Sequence, residues 1–179
     1  EKSIVLLKNE DILPLSNSTK ILVAGIGANS KRMLNGPWSF DWLGAAEAQQ
    51  PQNMLTLFEA CKSTFGNNNV LLSKTERILT SADKKQFLKD TRKADVIVLA
   101  VGEQPYSEFM GNINDLTLDA DQLELIDAAI ATKKPVVLVL MEGRPRVITK
   151  QAAGVKAVLF AGYPGIEGAQ AIANILSGK

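Results

Sequence analysis

The stretch DVIVLAVGEQPYSEFMGNIND, residues 95–115, decides the fold. It contains an unbroken apolar run, Val96 to Val101, that is rich in β-branched residues and too short for a buried helix. Such a run is typical of a strand buried on both faces of a parallel sheet. Gly102 ends the run, and the residues after it include two carboxylates, Glu103 and Glu108, among turn formers. Because ligands in open α/β sheets bind outside the carboxyl ends of the strands, the loop after this strand is the leading candidate for a functional site.

Apolar runs and helical patterns alternate along the rest of the chain. Strands are predicted at residues 20–25, 70–72, 135–140 and 156–160, and helices at residues 54–65, 81–94, 119–132 and 167–176. This alternation predicts right-handed βαβ crossovers and a three-layer α/β/α sandwich whose mostly parallel sheet has about five or six strands. Asp119 and Gln122 have the spacing of a capping box at the start of the third helix. Residues 1–15 are predicted to be a connecting arm, because Pro14 disfavours a central strand.

The composition narrows the possible chemistry, because the chain has no histidine and one cysteine, Cys61. The lack of histidine excludes Ser-His-Asp and Cys-His catalysis and the usual zinc sites, and Cys61 is predicted to be a core residue. Any acid/base chemistry therefore has to use carboxylates, lysine or tyrosine. The 20 Lys and Arg residues nearly balance the 19 Asp and Glu residues, so no nucleic-acid or membrane partner is expected. The length of 179 residues predicts a single domain, residues 1–179.

Two other segments leave alternatives open. NGPWSFDWLG, residues 35–44, holds Trp38, Phe40 and Trp42. Alternating aromatic residues are compatible with a half-buried strand, or with a loop whose flat apolar faces stack on sugar rings. GIGANS, residues 25–30, resembles the opening of a dinucleotide fingerprint, but the third glycine is missing. A tight turn is the preferred interpretation, with a nucleotide-binding flavodoxin-like domain as the alternative.

Five segments in a particular order suggest a family: SIVLLKNEDILPL, NGPWSFDWLG, VGEQPYSEFMGNINDLTL, KPVVLVLMEGRP and AGYPGIEGAQAIANIL. Over its whole length the chain resembles the C-terminal domain of glycoside hydrolase family 3, the β-glucosidases and β-glucan exohydrolases. The resemblance implies a two-domain enzyme whose N-terminal barrel, outside this chain, carries a nucleophilic aspartate. It implies hydrolysis of terminal β-D-glucosyl residues of glucosides or oligosaccharides with retention of configuration, and it implies no cofactor or metal. It also implies a periplasmic or secreted enzyme.

The same resemblance implies roles for individual residues. The acid/base glutamate comes from the loop after the central strand, and by the motif it is Glu103, with Glu108 as the second candidate. Trp38 matches an aromatic wall of the aglycone subsite, and Tyr106 and Glu108 are candidates for substrate contact. Since the barrel supplies the nucleophile, we expect the barrel to be the partner of this chain, and the chain alone to be inactive. The alternative is a non-catalytic carbohydrate-binding or domain-interface module, which would need Trp38 but not Glu103.

Overall fold

Six strands form one sheet in the computed structural model, which describes residues 1–179. The strands are β1 Val5–Asn9, β2 Ile21–Ala24, β3 Val70–Leu72, β4 Val96–Gly102, β5 Val136–Met141 and β6 Ala157–Phe160. Across the sheet they lie in the order β1-β6-β5-β4-β2-β3. All neighbours pair in parallel except β1, which is antiparallel to β6. The predicted, mostly parallel sheet is therefore confirmed.

Five helices cover the two faces of the sheet. They are α1 Leu57–Phe65, α2 Ser81–Thr91, α3 Ala120–Ala131, α4 Thr149–Gly154 and α5 Gly168–Ser177. Helices α1 and α5 pack together on one face, and α2, α3 and α4 lie on the other. A capping box between Thr56 and Glu59 starts α1, and Gly66, with a positive φ, ends it. The predicted three-layer α/β/α arrangement is confirmed.

Strand β4 contributes to the apolar core on both faces, because successive side chains of a strand point in opposite directions. Its residues Val96, Val98 and Ala100 belong to the core under α1 and α5. Residues Ile97, Leu99 and Val101 belong to the core under α2 and α3. Every residue of the strand is buried. Burying one Val, Leu or Ile side chain contributes about 1.5–3 kcal/mol, so β4 is central to stability as well as in position.

Three local expectations need correction. The predicted connecting arm is wrong for Val5–Asn9, which forms an antiparallel edge strand beside β6. The half-buried strand offered as one interpretation of residues 35–44 is wrong, because these residues lie in a loop. The predicted capping box at α3 is also wrong, since the Asp119 side chain makes no capping hydrogen bond and Gln122 turns toward β4. Helix α4, with six residues, was not predicted.

The carboxyl ends of β2, β4 and β5 meet at one edge of the sheet, because these strands are parallel neighbours. The loop after β2 contains residues 35–44, which we call the tryptophan segment. This loop begins at Gly25, where φ is +95° and an added Cβ would lie 2.3 Å from the Ala100 carbonyl oxygen. Gly25 therefore allows close packing of the turn on β4, which favours the tight-turn interpretation. No helix combines the length and hydropathy needed to cross a bilayer.

Candidate functional site at the carboxyl edge of the sheet

The loop that follows β4, residues 103–117, is called the central loop, and its start is tied to α3 and β5. The Gly102 N–H donates to Gln122 Oε1 at 3.0 Å, and Gln122 Nε2 donates to the Gly102 carbonyl at 2.9 Å. Gln122 is fully buried, so each polar atom in this pair needs the other. The Glu103 N–H donates to the Met141 carbonyl at 3.0 Å. These bonds determine where the loop leaves the sheet.

Glu103 turns its carboxylate into the domain. The side chain is 6% exposed, and Oε1 accepts hydrogen bonds from Arg144 Nε at 3.0 Å and from Arg146 Nη1 at 2.7 Å. Its Oε2 is buried and has no hydrogen-bond partner in the chain. Two guanidinium groups therefore offset the cost of burying one carboxylate.

A second buried carboxyl group, that of Glu142, directly follows β5. Its Oε1 accepts a hydrogen bond from the Arg146 backbone N–H at 3.2 Å, and its Oε2 is buried without a partner. Burial raises the pKa of Glu142 to about 7; the Arg146 N–H lowers it, and the negative charge of Glu103 raises it further. Glu103 thus accepts a hydrogen bond from the Arg146 side chain, and Glu142 accepts one from the Arg146 backbone.

The side chain of Arg146 also reaches the far end of the central loop. Its Nε donates to the Leu116 carbonyl at 3.0 Å, and its Nη2 donates to the Thr117 carbonyl. The next residue, Val147, donates its N–H to the Leu116 carbonyl at 2.8 Å. The loop after β5 therefore runs beside the end of the central loop and hydrogen-bonds to it.

Tyr106, in the first half of the central loop, is half-buried. The Arg144 guanidinium carbon lies 4.1 Å from the centroid of the ring, which is cation–π geometry. Burial, and then the negative charge of Glu103, raise the pKa of the phenol. Gly111 packs so closely on the ring that an added Cβ would lie 2.0 Å from Tyr106 Cδ2. The ring therefore serves as a packing surface inside the loop.

Glu108 differs from Glu103 in exposure, in hydrogen bonding and in ion pairing. It begins a short 3-10 helix, Glu108–Gly111, and it is exposed, with no hydrogen bond or ion pair from its side chain to the rest of the chain. Its φ is +49°, a left-handed value that is uncommon for residues other than glycine. Backbone conformations of this kind cost about 1–3 kcal/mol and concentrate at functional sites. Glu108 is therefore a free carboxyl group on a constrained backbone.

The tryptophan segment contacts the central loop on both sides of Glu108. The Ser107 hydroxyl donates to the Trp42 carbonyl, and the ring centroids of Trp42 and Phe109 are 6.4 Å apart. Trp38 belongs to the same segment and is 70% exposed. The structure thus brings two predicted site elements, the segment of Trp38 and the loop of Glu108, onto one surface.

Arg32 and Tyr163 support this contact from the side. The Arg32 guanidinium donates to the carbonyls of Leu43 and Gly44, each at 3.1 Å, and its Nε donates to Gln104 Oε1, also at 3.1 Å. The Tyr163 hydroxyl donates to the Gln104 carbonyl at 3.1 Å. The tryptophan segment and the start of the central loop are therefore hydrogen-bonded into one assembly.

Comparison with known proteins assigns a family to this arrangement. The model of the glycosyl hydrolase family 3 C-terminal domain matches residues 4–179. The chain belongs to this family.

Relatives with known names agree with the family 3 assignment. The chain is 37% identical, over its whole length, to the lysosomal beta glucosidase of Dictyostelium discoideum. It is 32% identical, over 99% of its length, to the periplasmic beta-glucosidase of Salmonella typhimurium. Its fold matches the exo-1,3/1,4-beta-glucanase of a Pseudoalteromonas species with a TM-score of 0.81 and 34% identity, over 98% of this chain and 21% of that one. This family 3 domain spans 23% and 26% of the two named β-glucosidases, so both contain much additional chain.

The family 3 domain thus places the predicted residues in two different environments. Glu108 and Trp38 lie on the exposed surface, whereas Glu103 is buried among arginines. Sequence reasoning did not single out Glu142 and Arg146. The signal that could have found them is their position directly after a buried strand that neighbours β4.

Proposed function

We propose that this family 3 domain supplies the acid/base carboxyl group of a retaining, exo-acting β-glucosidase. In such enzymes one carboxylate attacks the anomeric carbon, while a carboxyl group about 5–5.5 Å away protonates the leaving oxygen and later activates water. The nucleophilic aspartate comes from a barrel domain outside this chain, and the greater length of the relatives supports such a partner. The names of the relatives support terminal β-D-glucosides as substrates. The periplasmic relative supports a periplasmic or secreted location, whereas the Dictyostelium relative is lysosomal.

The acid/base in this proposal is Glu108, and the contrast between the two glutamates carries it. A proton donor has to reach the glycosidic oxygen of a substrate, and Glu108 is exposed with a free side chain. Glu103 is 6% exposed, and protonating it would weaken two charge-assisted hydrogen bonds from arginines. The motif favours Glu103, whereas side-chain geometry supports Glu108.

Trp38 forms one wall of the aglycone side in this proposal. A tryptophan presents a large, flat apolar face, and this one is 70% exposed in a segment that packs on both neighbours of Glu108. Tyr106 is half-buried beneath Arg144, which supports a packing role more than direct contact with substrate.

The chemistry proceeds in two steps. Glu108 donates its proton to the leaving oxygen while the barrel carboxylate attacks the anomeric carbon, and the glycosidic bond breaks. The ionised Glu108 then takes a proton from water, whose oxygen attacks the same carbon and releases the sugar from the barrel carboxylate. Carboxyl groups carry out both steps, which suits a domain without histidine.

The test compares Glu108→Gln with Glu103→Gln in the parent full-length enzyme. For each variant, kcat/KM is measured on aryl β-glucosides whose leaving groups range from poor to highly activated. We expect Glu108→Gln to lose about 10²–10⁴-fold on poor leaving groups, because these need protonation, and far less on activated ones. We expect Glu103→Gln to lower activity on all substrates by a similar factor, because it removes a buried structural charge.

The opposite pattern, with dependence on the leaving group in Glu103→Gln and none in Glu108→Gln, would return the acid/base role to Glu103. If the wild-type parent hydrolyses no glycoside, the proposal fails and the domain is a binding or interface module.

A further inference from the structure

A single guanidinium group, that of Arg146, binds both ends of the central loop. At the start of the loop, Nη1 donates to Glu103 Oε1 at 2.7 Å. At the end, Nε donates to the Leu116 carbonyl at 3.0 Å, and Nη2 donates to the Thr117 carbonyl. The side chains of Arg146 and Glu103 are 8% and 6% exposed, so water competes little for the bond between them.

The part of the loop between these ends has few other supports. From Glu108 to Thr117, every residue except Gly111 is exposed. The other supports of this region are Phe109, which contacts the tryptophan segment, and Gly111, which packs on the Tyr106 ring. A segment with few buried contacts opens at little cost in free energy, so the orientation of Glu108 depends strongly on how the ends of the loop are held.

We propose that Arg146 is a positioning residue for Glu108, acting by closing the central loop at its base. This inference rests on the proposed function, since it assumes that Glu108 is the acid/base. The planar guanidinium carries five donors in a rigid fork, so it can bind acceptors at both ends at once, whereas lysine offers a compact point charge. Arg144 also pairs with Glu103, yet it makes no hydrogen bond to the far end of the loop. Arg144 therefore provides a matched control.

The experiment measures kcat/KM of Arg146→Lys and Arg146→Gln in the parent full-length enzyme, on the same series of aryl β-glucosides. A displacement of about 1 Å in a catalytic group costs about 100-fold in rate. We therefore expect both variants to lose about 100-fold on the poorest leaving groups and to retain most activity on 2,4-dinitrophenyl β-glucoside. Arg146→Lys keeps a positive charge beside Glu103, so a loss of activity in this variant would show that closing the loop requires the several donors of the guanidinium group. Arg144→Lys should keep the leaving-group dependence of the wild type.

Two results would overturn the role of Arg146. One is an Arg146→Lys enzyme that matches the wild type on every substrate, and the other is an equal loss on all substrates in both variants. Glu108→Gln, measured in parallel, separates this failure from that of the proposed function. If only Glu108→Gln shows a dependence on the leaving group, the role of Arg146 is rejected and that of Glu108 stands. If Glu108→Gln shows no such dependence, both roles are rejected.

Discussion

Replacing Glu142 with glutamine should change the pH dependence of folding stability. The pKa of the Glu142 carboxyl group is about 7 in the folded chain, against an ordinary value of 4.5. Because the folded state binds this proton more tightly than the unfolded state does, the Glu142 contribution to stability is complete below pH 4.5 and is lost as the pH rises through about 7. Three groups besides burial act on the Glu142 carboxyl group: the N–H and the positive charge of Arg146 favour its ionised form, and the negative charge of Glu103 opposes it.

The size of the effect follows from the pKa interval. The rise from 4.5 to about 7 corresponds to about 3 kcal/mol at about 1.4 kcal/mol per pKa unit. Local relaxation and entry of water reduce such penalties, so we expect a change of about 1–3 kcal/mol. Glutamine has nearly the shape of the protonated carboxyl group and does not ionise, so Glu142→Gln should be free of this loss.

The assay is urea unfolding of the wild-type chain and Glu142→Gln between about pH 5 and pH 8. The free energy of unfolding of the variant, relative to the wild type, should rise by about 1–3 kcal/mol across this range. Glu76→Gln is the control, because Glu76 is exposed and makes no ion pair, and its difference from the wild type should stay constant. A Glu142→Gln difference that stays constant within about 0.5 kcal/mol, or that falls with pH, would show that the Glu142 carboxyl group is not held protonated by burial.

Three further predictions concern single positions. Gly102→Ala should lower the free energy of unfolding by more than about 2 kcal/mol in the same urea assay. The reason is that φ at Gly102 is +147° and the new Cβ would lie 1.9 Å from the Met141 carbonyl oxygen, and a variant as stable as the wild type would contradict it. The Cys61 thiol is buried, and burial raises its pKa to about 12. It should therefore react with a disulfide reagent at least about tenfold more slowly in the native chain than in urea, and equal rates would show that the thiol is accessible in the native chain. Trp38→Ala should change the free energy of unfolding by less than about 0.5 kcal/mol, since the side chain is 70% exposed. In the parent enzyme it should raise KM for oligosaccharides more than it lowers kcat, and an unchanged KM would show that Trp38 does not contact the substrate.

The fold was predictable where one local pattern determines the structure. The run Val96 to Val101 is apolar at every position, and only a strand between two covered faces buries such a run fully. Edge strand β1 was missed because the predicted arm extends the effect of Pro14 to all of residues 1–15, whereas β1 ends at Asn9 and pairs with β6, which is distant in the sequence. Helix α4 is too short to repeat a helical pattern.

The candidate site was less predictable, because its contacts join residues that are far apart in the sequence. Glu103 and Glu108 look alike as loop carboxylates, and what distinguishes them is a pair of arginines, Arg144 and Arg146, more than 40 residues further along the chain. Gln122 has the spacing for a cap, but a buried bond to Gly102 takes its amide instead. Sequence patterns based on neighbouring residues do not show when a distant residue binds a side chain in place of a near one.

The role of Glu108 as the acid/base is tested most directly by identifying the product that the parent enzyme forms in the presence of azide. Removing the acid/base side chain leaves the glycosyl-enzyme without a general base, so a small anion can attack in place of water. Glu108→Ala should release β-glucosyl azide from an activated β-glucoside, with kcat rising as azide is added. Glu103→Gln, which keeps an acceptor for Arg146 Nη1, should release glucose and show no rescue. β-Glucosyl azide from Glu103→Gln but not from Glu108→Ala would contradict the proposed role of Glu108 and assign the acid/base role to the buried glutamate.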